Sequence, residues 1–554
     1  MQEYTKKVEI QGAGEIDVLF SKLHKPAHHD SIYSEKIYQK GEICAEDGIP
    51  LPCDILCERN VPVEMRDGAV IYTDIFRPAG EEKVPAVIAW SPYGKEFPGP
   101  AMKNVELSGL QKFEGPDPAF WVPNGYAVLN PDMRGIGASK DDFLQWGTTQ
   151  SRDGYDFVRW AGAQEWCSGK VSFAGTSYLA TSQWFIAAEQ PPELACIAPW
   201  EGFSDVYVHS ICAGGIPDYE FEYIMFDRTF HGLQDGENMG AMAEKYPLWN
   251  AYWADKRADL FRITVPAYVT ASYTNKVHSR GTLPSWQAIA SKEKWLRIHN
   301  THEWYDFYHH QEDLLRFYDH YMKGIDNGWE KTPRVRLAVM NPGGEDIVDR
   351  PADEYPVEFP DRKTLYLNAD SRLLQEKLPE EQREISYRGD DGKSSVSFRY
   401  VFEEKTEIIG SMKLILWAES REAEDMDLFV MAKKLDGDGK EMPLMVGGAP
   451  YCPPGEKARF EWGNGRQRVS LRNGYENPEY LKPGEPVRVM VQLCPMGMLF
   501  EAGQQLEITV GGFNPAKPEV PGQPPLATAN RGEHILLCGG KYDSALIVPV
   551  NPEQ

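Results

Sequence analysis

The segment VSFAGTSYLATSQWF, residues 171–185, constrains this chain more than any other. An apolar, β-prone run ends at Gly175-Thr176-Ser177-Tyr178, and a helical pattern leaves at once and stops at Pro191-Pro192. A strand that turns straight into a helix, with small residues at the corner, lifts one side chain onto a strained turn and exposes it at the sheet edge. The helix N-terminus behind it attracts developing negative charge. With serine at that corner, Ser177 is the candidate nucleophile. The second glycine of a G-x-S-x-G pattern is absent, its place taken by Leu179. A bare G-x-S is common by chance, so the strand–turn–helix context carries the assignment, against an ordinary helix N-cap serine.

Short apolar runs recur at 84–90, 125–130, 170–175, 194–200, 265–272 and 294–300, each closed by Gly, Pro or Asn. Helical patterns lie between them at 153–166 (with Asp153 as its N-cap), 177–190 and 311–324. Upstream, VPVEMRDGAVIYTDIFRP reads as a hairpin about Asp67-Gly68. Buried strands alternating with helices predict a mostly parallel sheet covered on both faces. From 206 to 260 no strand run appears and Met and aromatics abound, which predicts an inserted helical cap over the site rather than extra core. After about Pro333 short strands with turns follow one another, the pattern of a β-sandwich or jelly roll. The expected organisation is an α/β domain in two parts, 1–205 (with an extension over 1–60) and 261–330, a cap over 206–260, and a β-sandwich over 331–554.

A length of 554 residues requires several packed units. The net charge of −25 disfavours a nucleic-acid partner. No apolar stretch approaches the length of a membrane helix, and MQEYTKKVEIQGAGEID lacks an apolar signal core. Nine scattered cysteines without a CxxC read as free thiols of a reducing compartment, so a cytoplasmic protein is expected. An acidic surface is compatible with a homodimer without specifying one.

Gly175-Thr176-Ser177-Tyr178-Leu179-Ala180 resembles the elbow of the cocaine-esterase-like hydrolases, relatives of the X-prolyl dipeptidyl peptidases and α-amino-acid ester hydrolases. Ser91-Pro92-Tyr93, Asp132-Met133-Arg134-Gly135, DGYDFVRWAGAQEW, GFNP at 512–515 and GGKYDSALIVP at 539–549 match in order, so the resemblance covers roughly 60–554. It implies an α/β-hydrolase domain with a helical cap and a jelly roll. It gives the Tyr93 hydroxyl and the Tyr178 backbone N–H to an oxyanion hole, and the base to His302, with His299 the weaker candidate in KWLRIHNTHEW. Histidine spacing there does not match H-E-x-x-H, so no metal is expected. The acid of the triad falls on Asn275, a departure. Asn275 itself could orient His302, or Glu201 or Asp205 could supply the carboxylate, or hydrolysis could be weak. The implied activity is cleavage of a small-molecule ester or amide through an acyl-enzyme, without cofactor. Acyl transfer to another acceptor uses the same intermediate, and a catalytically impaired binding module is the reading that Asn275 supports. The acidic cap residues Asp218, Glu220, Glu222 and Asp227 form either a solvated helix face or a seat for a substrate ammonium.

Overall fold

The protein is described by a computed structural model covering residues 2–355, 362–461, 463–515 and 522–551. A hairpin, β1 (Glu3–Ile10) and β2 (Gly14–Lys22), precedes the central sheet. That sheet begins with β3 (Ser34–Tyr38), β4 (Ile55–Glu64), β5 (Val70–Pro78), β6 (Val84–Ile88), β7 (Ala127–Asp132) and β8 (Cys167–Phe173), in the order β3-β4-β5-β7-β6-β8. The strands β6, β7 and β8 run parallel; β6 and β7 are buried along their whole length and β8 at its start and over its last three residues.

The run at 194–200 does not form a continuous strand. Pro199 has no N–H to give, yet parallel bridges from Leu194 to Val171, Trp200 to Thr176 and Trp200 to Thr270 carry the sheet across. Beyond it lie β10 (Ala267–Ser272), β11 (Lys294–His299), β12 (Val335–Val339) and β13 (Ile347–Ala352). Thus β12 and β13, whose residues fall beyond the expected seam at 330, hydrogen-bond onto the α/β sheet, while Met340 bridges to Met498 of the β domain. The remaining C-terminal strands form an all-β domain.

After the one-turn α1 (Pro118–Trp121), α2 (Gly147–Gly162) and α3 (Tyr178–Ala188) flank β8. The start of α2 lies six residues before the expected cap, because Asp255 of the inserted region accepts from the Thr148 N–H at 3.0 Å. Asp153 sits inside the helix and pairs with buried Arg134 at 2.8 and 2.6 Å. The cap holds a π-turn at Tyr207–Ile211, α4 (Tyr219–Thr229), α5 (Met239–Lys245) and α6 (Ala251–Asp255). It also holds a short strand, β9 (Asp235–Glu237), that sequence reading did not expect, since Asp-Gly-Glu carries no strand-forming side chain. Strand β9 pairs with β2, and Lys6 of β1 reaches Asp142 (2.6 Å) and Asp235 (2.8 Å), so the N-terminal extension clasps the cap.

The strands β10 and β11 are followed by α7 (Ser279–Ala288), α8 (Glu303–His309) and α9 (Gln311–Lys323). Gly324 ends α9 in the left-handed conformation, as its sequence requires. One continuous set of buried apolar side chains runs from Ile88 and Leu129 through Tyr273 to Leu414 and Phe500, joining both domains. No helix among the described residues is long and apolar enough to cross a membrane. The nine cysteines are free thiols.

Candidate active site

Strand β8 ends at Phe173 and α3 begins at Tyr178, so four residues make the corner. Ser177 takes φ 59° and ψ −121°, a conformation that costs an L-residue of order 1–3 kcal/mol. The surroundings hold it there. Its N–H donates to Glu201 O at 3.0 Å, and the Thr176 N–H donates to Glu114 O at 3.2 Å. Gly175, at φ 134°, is obligatory: a Cβ there would lie 2.4 Å from Leu179 Cδ2 and 2.7 Å from Glu114 O. Leu179 therefore packs over the corner that a second glycine would leave open. The Tyr178 N–H is one of the donors that the first turn of α3 leaves without an intrahelical acceptor.

Tyr93 is buried beside this corner, its ring 5.1 Å from Phe113 and 6.1 Å from Tyr178. Burial, then the nearby Glu114 charge, raise the Tyr93 hydroxyl well above its usual range, while a bond to Ser177 opposes them. It is thus a neutral hydroxyl next to Ser177. The turn that carries it is fixed from below by Lys112, fully buried, whose Nζ donates to Ser91 O (2.7 Å) and Pro131 O (2.6 Å). Desolvation pushes that ammonium down to about 7. The Tyr178 side chain points elsewhere, stacked on Trp146 at 4.4 Å with its hydroxyl accepting from Gln150 Nε2.

His302 opens α8 and lines the same cavity as Ser177. Its Nδ1 accepts from the Trp304 N–H at 3.3 Å. Burial, then the neighbouring His299, push the ring down to about 4, so it is neutral near pH 7. The expected orienting groups are placed as follows. Asn275 Oδ1 accepts from the Val277 and His278 N–H groups (3.1 Å each), and its Nδ2 donates to Glu303. Among the described residues it makes no hydrogen bond to His302. Glu201 lies under the elbow, φ 58°, and its carboxylate meets His299 Nε2 at 2.5 Å rather than His302. The reason is positional: His299 is the last residue of β11, level with Glu201 in the sheet, whereas His302 is out in the loop. Asp205 Oδ1 caps the π-turn, accepting from Tyr207 N (3.0 Å) and Val208 N (3.1 Å), and burial pushes it up to about 6. Neither carboxylate reaches His302.

Three carboxyls line this cavity of about 680 Å³: Glu222, one of the cap residues read as a possible ammonium seat, and Glu114 and Glu303, which sequence reading did not assign to the site. Glu114 is fully buried, with Oε1 accepting from Trp304 Nε1 at 2.8 Å and Oε2 without a geometric partner. Burial pushes it up to about 8, against bonds to Trp304, Tyr93 and Ser177 that pull it down. Nothing in QKFEGPDP marked it, because its role depends on a loop returning under the elbow. Glu222, one of the four acidic cap residues, turns inward and is pushed up to about 8 by burial and by Asp218. By contrast, Asp218 faces Arg466 at 3.4 Å and Asp227 meets His24 at 2.8 Å. Aromatic and apolar side chains complete the wall: Phe113, Phe203, Phe221, Met225 and Phe230, with Phe460 from the β domain. That domain also holds the His302 backbone, whose N–H donates to Gly447 O at 3.0 Å.

A serine on a strained strand–helix corner, two donors beside it and a histidine lining the same cavity define the class of serine hydrolases with an α/β fold. Sequence comparison agrees: residues 67–235 match the model of X-Pro dipeptidyl-peptidase (S15 family), and 327–547 match the X-Pro dipeptidyl-peptidase C-terminal non-catalytic domain. A CocE/NonD family hydrolase of Staphylococcus aureus is 32% identical over 90% of this chain and 94% of its own, with a TM-score of 0.83. The chain belongs to the CocE/NonD family of hydrolases. A stretch of 148 residues is 34% identical to a cocaine esterase of Rhodococcus sp., covering 27% of this chain and 24% of that enzyme, so the alignment spans about a quarter of that relative. An α-amino acid ester hydrolase, 16% identical over 90% of this chain and 97% of its own with a TM-score of 0.68, shares the fold.

Proposed function

We propose that this protein cleaves a carboxylic ester or amide through an acyl-enzyme on Ser177. The observation that carries the reading is the strained Ser177 backbone, held at the mouth of a mostly apolar cavity with the Tyr93 hydroxyl and Tyr178 N–H beside it. In this reading Ser177 Oγ attacks the carbonyl carbon while its proton passes to His302. The tetrahedral oxyanion takes hydrogen bonds from Tyr93 and Tyr178. His302 then protonates the leaving group, and water repeats the sequence on the acyl-enzyme. Such donors contribute about 3 kcal/mol each to related transition states.

A base that accepts through Nε2 must carry its proton on Nδ1. In the resting arrangement Nδ1 accepts from Trp304, so reaction requires the other tautomer and a group to receive that proton. We assign this to the Asn275–Glu303 pair: the asparagine stands where an acid is expected and donates to a carboxylate that lines the same cavity as His302. Glu114, protonated near neutral pH, would keep the oxyanion site beside Tyr93 free of opposing negative charge. The apolar wall favours an uncharged or aromatic acyl group, and we read the C-terminal domain that supplies Phe460 as a jelly roll.

A panel of nitrophenyl esters and X-Pro anilides, with wild type, Ser177→Ala and Glu303→Gln, tests this. Turnover of at least one substrate class should fall about 10³-fold or more in Ser177→Ala and about 10²-fold in Glu303→Gln. Turnover that survives Ser177→Ala would overturn the reading. An unchanged Glu303→Gln would remove the pair from it and return the acid's place to Asn275 alone.

A further inference from the structure

A second cavity, of about 390 Å³, opens where the cap, α7 and the C-terminal β domain meet. Among the described residues its wall carries four cationic side chains, Arg280, Arg362, Lys413 and Arg466, and no carboxylate. The chain holds 83 acidic and 58 basic residues, so an average stretch of wall would show the opposite balance. Arg466 has partners: it donates to Ala213 O (2.9 Å) and Ser210 O (3.2 Å) and faces Asp218. The other three do not neutralise themselves. Arg280 reaches only a thiol, Cys494 Sγ at 3.2 Å, and neither Arg362 nor Lys413 meets a carboxylate among the described residues.

Gathering like charges is unfavourable, since two cations about 4 Å apart repel by about 1 kcal/mol even in water. The neighbours register it. Burial first, and the charge of Arg280 after it, depress Arg466, and the same two causes push His209 down to about 3. His209 lines the same cavity as a neutral ring with Nδ1 buried and unpartnered. A planar guanidinium fork, a second guanidinium, an ammonium and an imidazole around one hollow match an oxyanion with several negatively charged oxygens.

We propose that this cavity binds a small multivalent anion, bearing phosphate or several carboxylates, between Arg280, Arg362 and Lys413. Its walls come from the cap (Val208, His209, Gly214) and from the β domain, so the anion ties the two together at a distance from Ser177. The site is independent of the hydrolytic reading.

Thermal unfolding in inorganic phosphate, pyrophosphate and citrate, each against sodium chloride of equal ionic strength, tests it. At least one of these anions at millimolar concentration should raise Tm by about 2 °C or more over the chloride control, because a ligand of the native state stabilises by mass action. Phosphate and pyrophosphate acting alone identify a phosphate ligand, and citrate alone a polycarboxylate. The double variant Arg280→Gln/Lys413→Gln should weaken binding at least tenfold by titration calorimetry. Should that variant fail to fold, the exposed Arg362→Gln makes the same comparison. No excess over chloride, or an excess that persists in the variants, would overturn the proposal.

Discussion

At the scale of single residues, Ser177 and Tyr93 could be named as candidates because each sits in a local pattern: strand, small corner and helix for Ser177, an X-Pro-Tyr turn for Tyr93. Glu114 was not legible. It reaches the site by a loop whose return under β8 depends on Lys112 buried between Ser91 O and Pro131 O. Asn275 was visible as a departure, but its bonds to Glu303 and to its own turn were not, because a sequence names no partners. Glu114 also sets a pH signature. Its folded carboxyl is raised from about 4.5 to about 8, so the folded state prefers it protonated. The stability it contributes is whole below about pH 4.5 and is lost as pH rises through about 8. Glu114→Gln should therefore flatten the decline of Tm between about pH 4.5 and 8. It should also remove an alkaline limb near pH 8 from the kcat/KM profile. Parallel wild-type and variant profiles would take the titration away from Glu114.

At the scale of elements, helices and strands with strong periodicity appear where they are expected, whereas those defined by a distant partner do not. The Gly324 stop of α9 is local and was readable. The start of α2 is set by Asp255, some hundred residues later, and β9 exists only because β2 lies beside it. The elbow is the element on which function turns. Gly175→Ala places a methyl against Leu179 Cδ2 and Glu114 O at a positive φ that alanine resists. We expect a loss of about 2–4 kcal/mol by chemical denaturation, from overpacking and backbone strain together. Turnover should fall as Ser177 is displaced. A stability within about 0.5 kcal/mol of wild type would mean that the corner is looser than its contacts indicate.

At the scale of the whole molecule, changes in periodicity near 206, 260 and 333 suggested a division into α/β unit, cap and β domain, and the all-β character of the C-terminal strands was readable from them. Their interlocking was not. Strands β12 and β13 extend the α/β sheet, the N-terminal hairpin grips the cap, and the β domain supplies both Gly447 to the His302 backbone and Phe460 to the cavity. Phe460→Ala should raise KM for an aromatic ester about five- to tenfold with little change in kcat, the mark of lost uniform binding. An equal fall in kcat would instead assign Phe460 to the positioning of His302, whose ring lies 6.3 Å away. The most direct measurement of the central claim is covalent labelling by a fluorophosphonate, followed by mass spectrometry of the peptide that carries residue 177. Stoichiometric phosphonylation of Ser177, absent from a Ser177→Ala protein with unchanged circular dichroism, is the predicted result. An unlabelled wild type, or label on another residue, would contradict it.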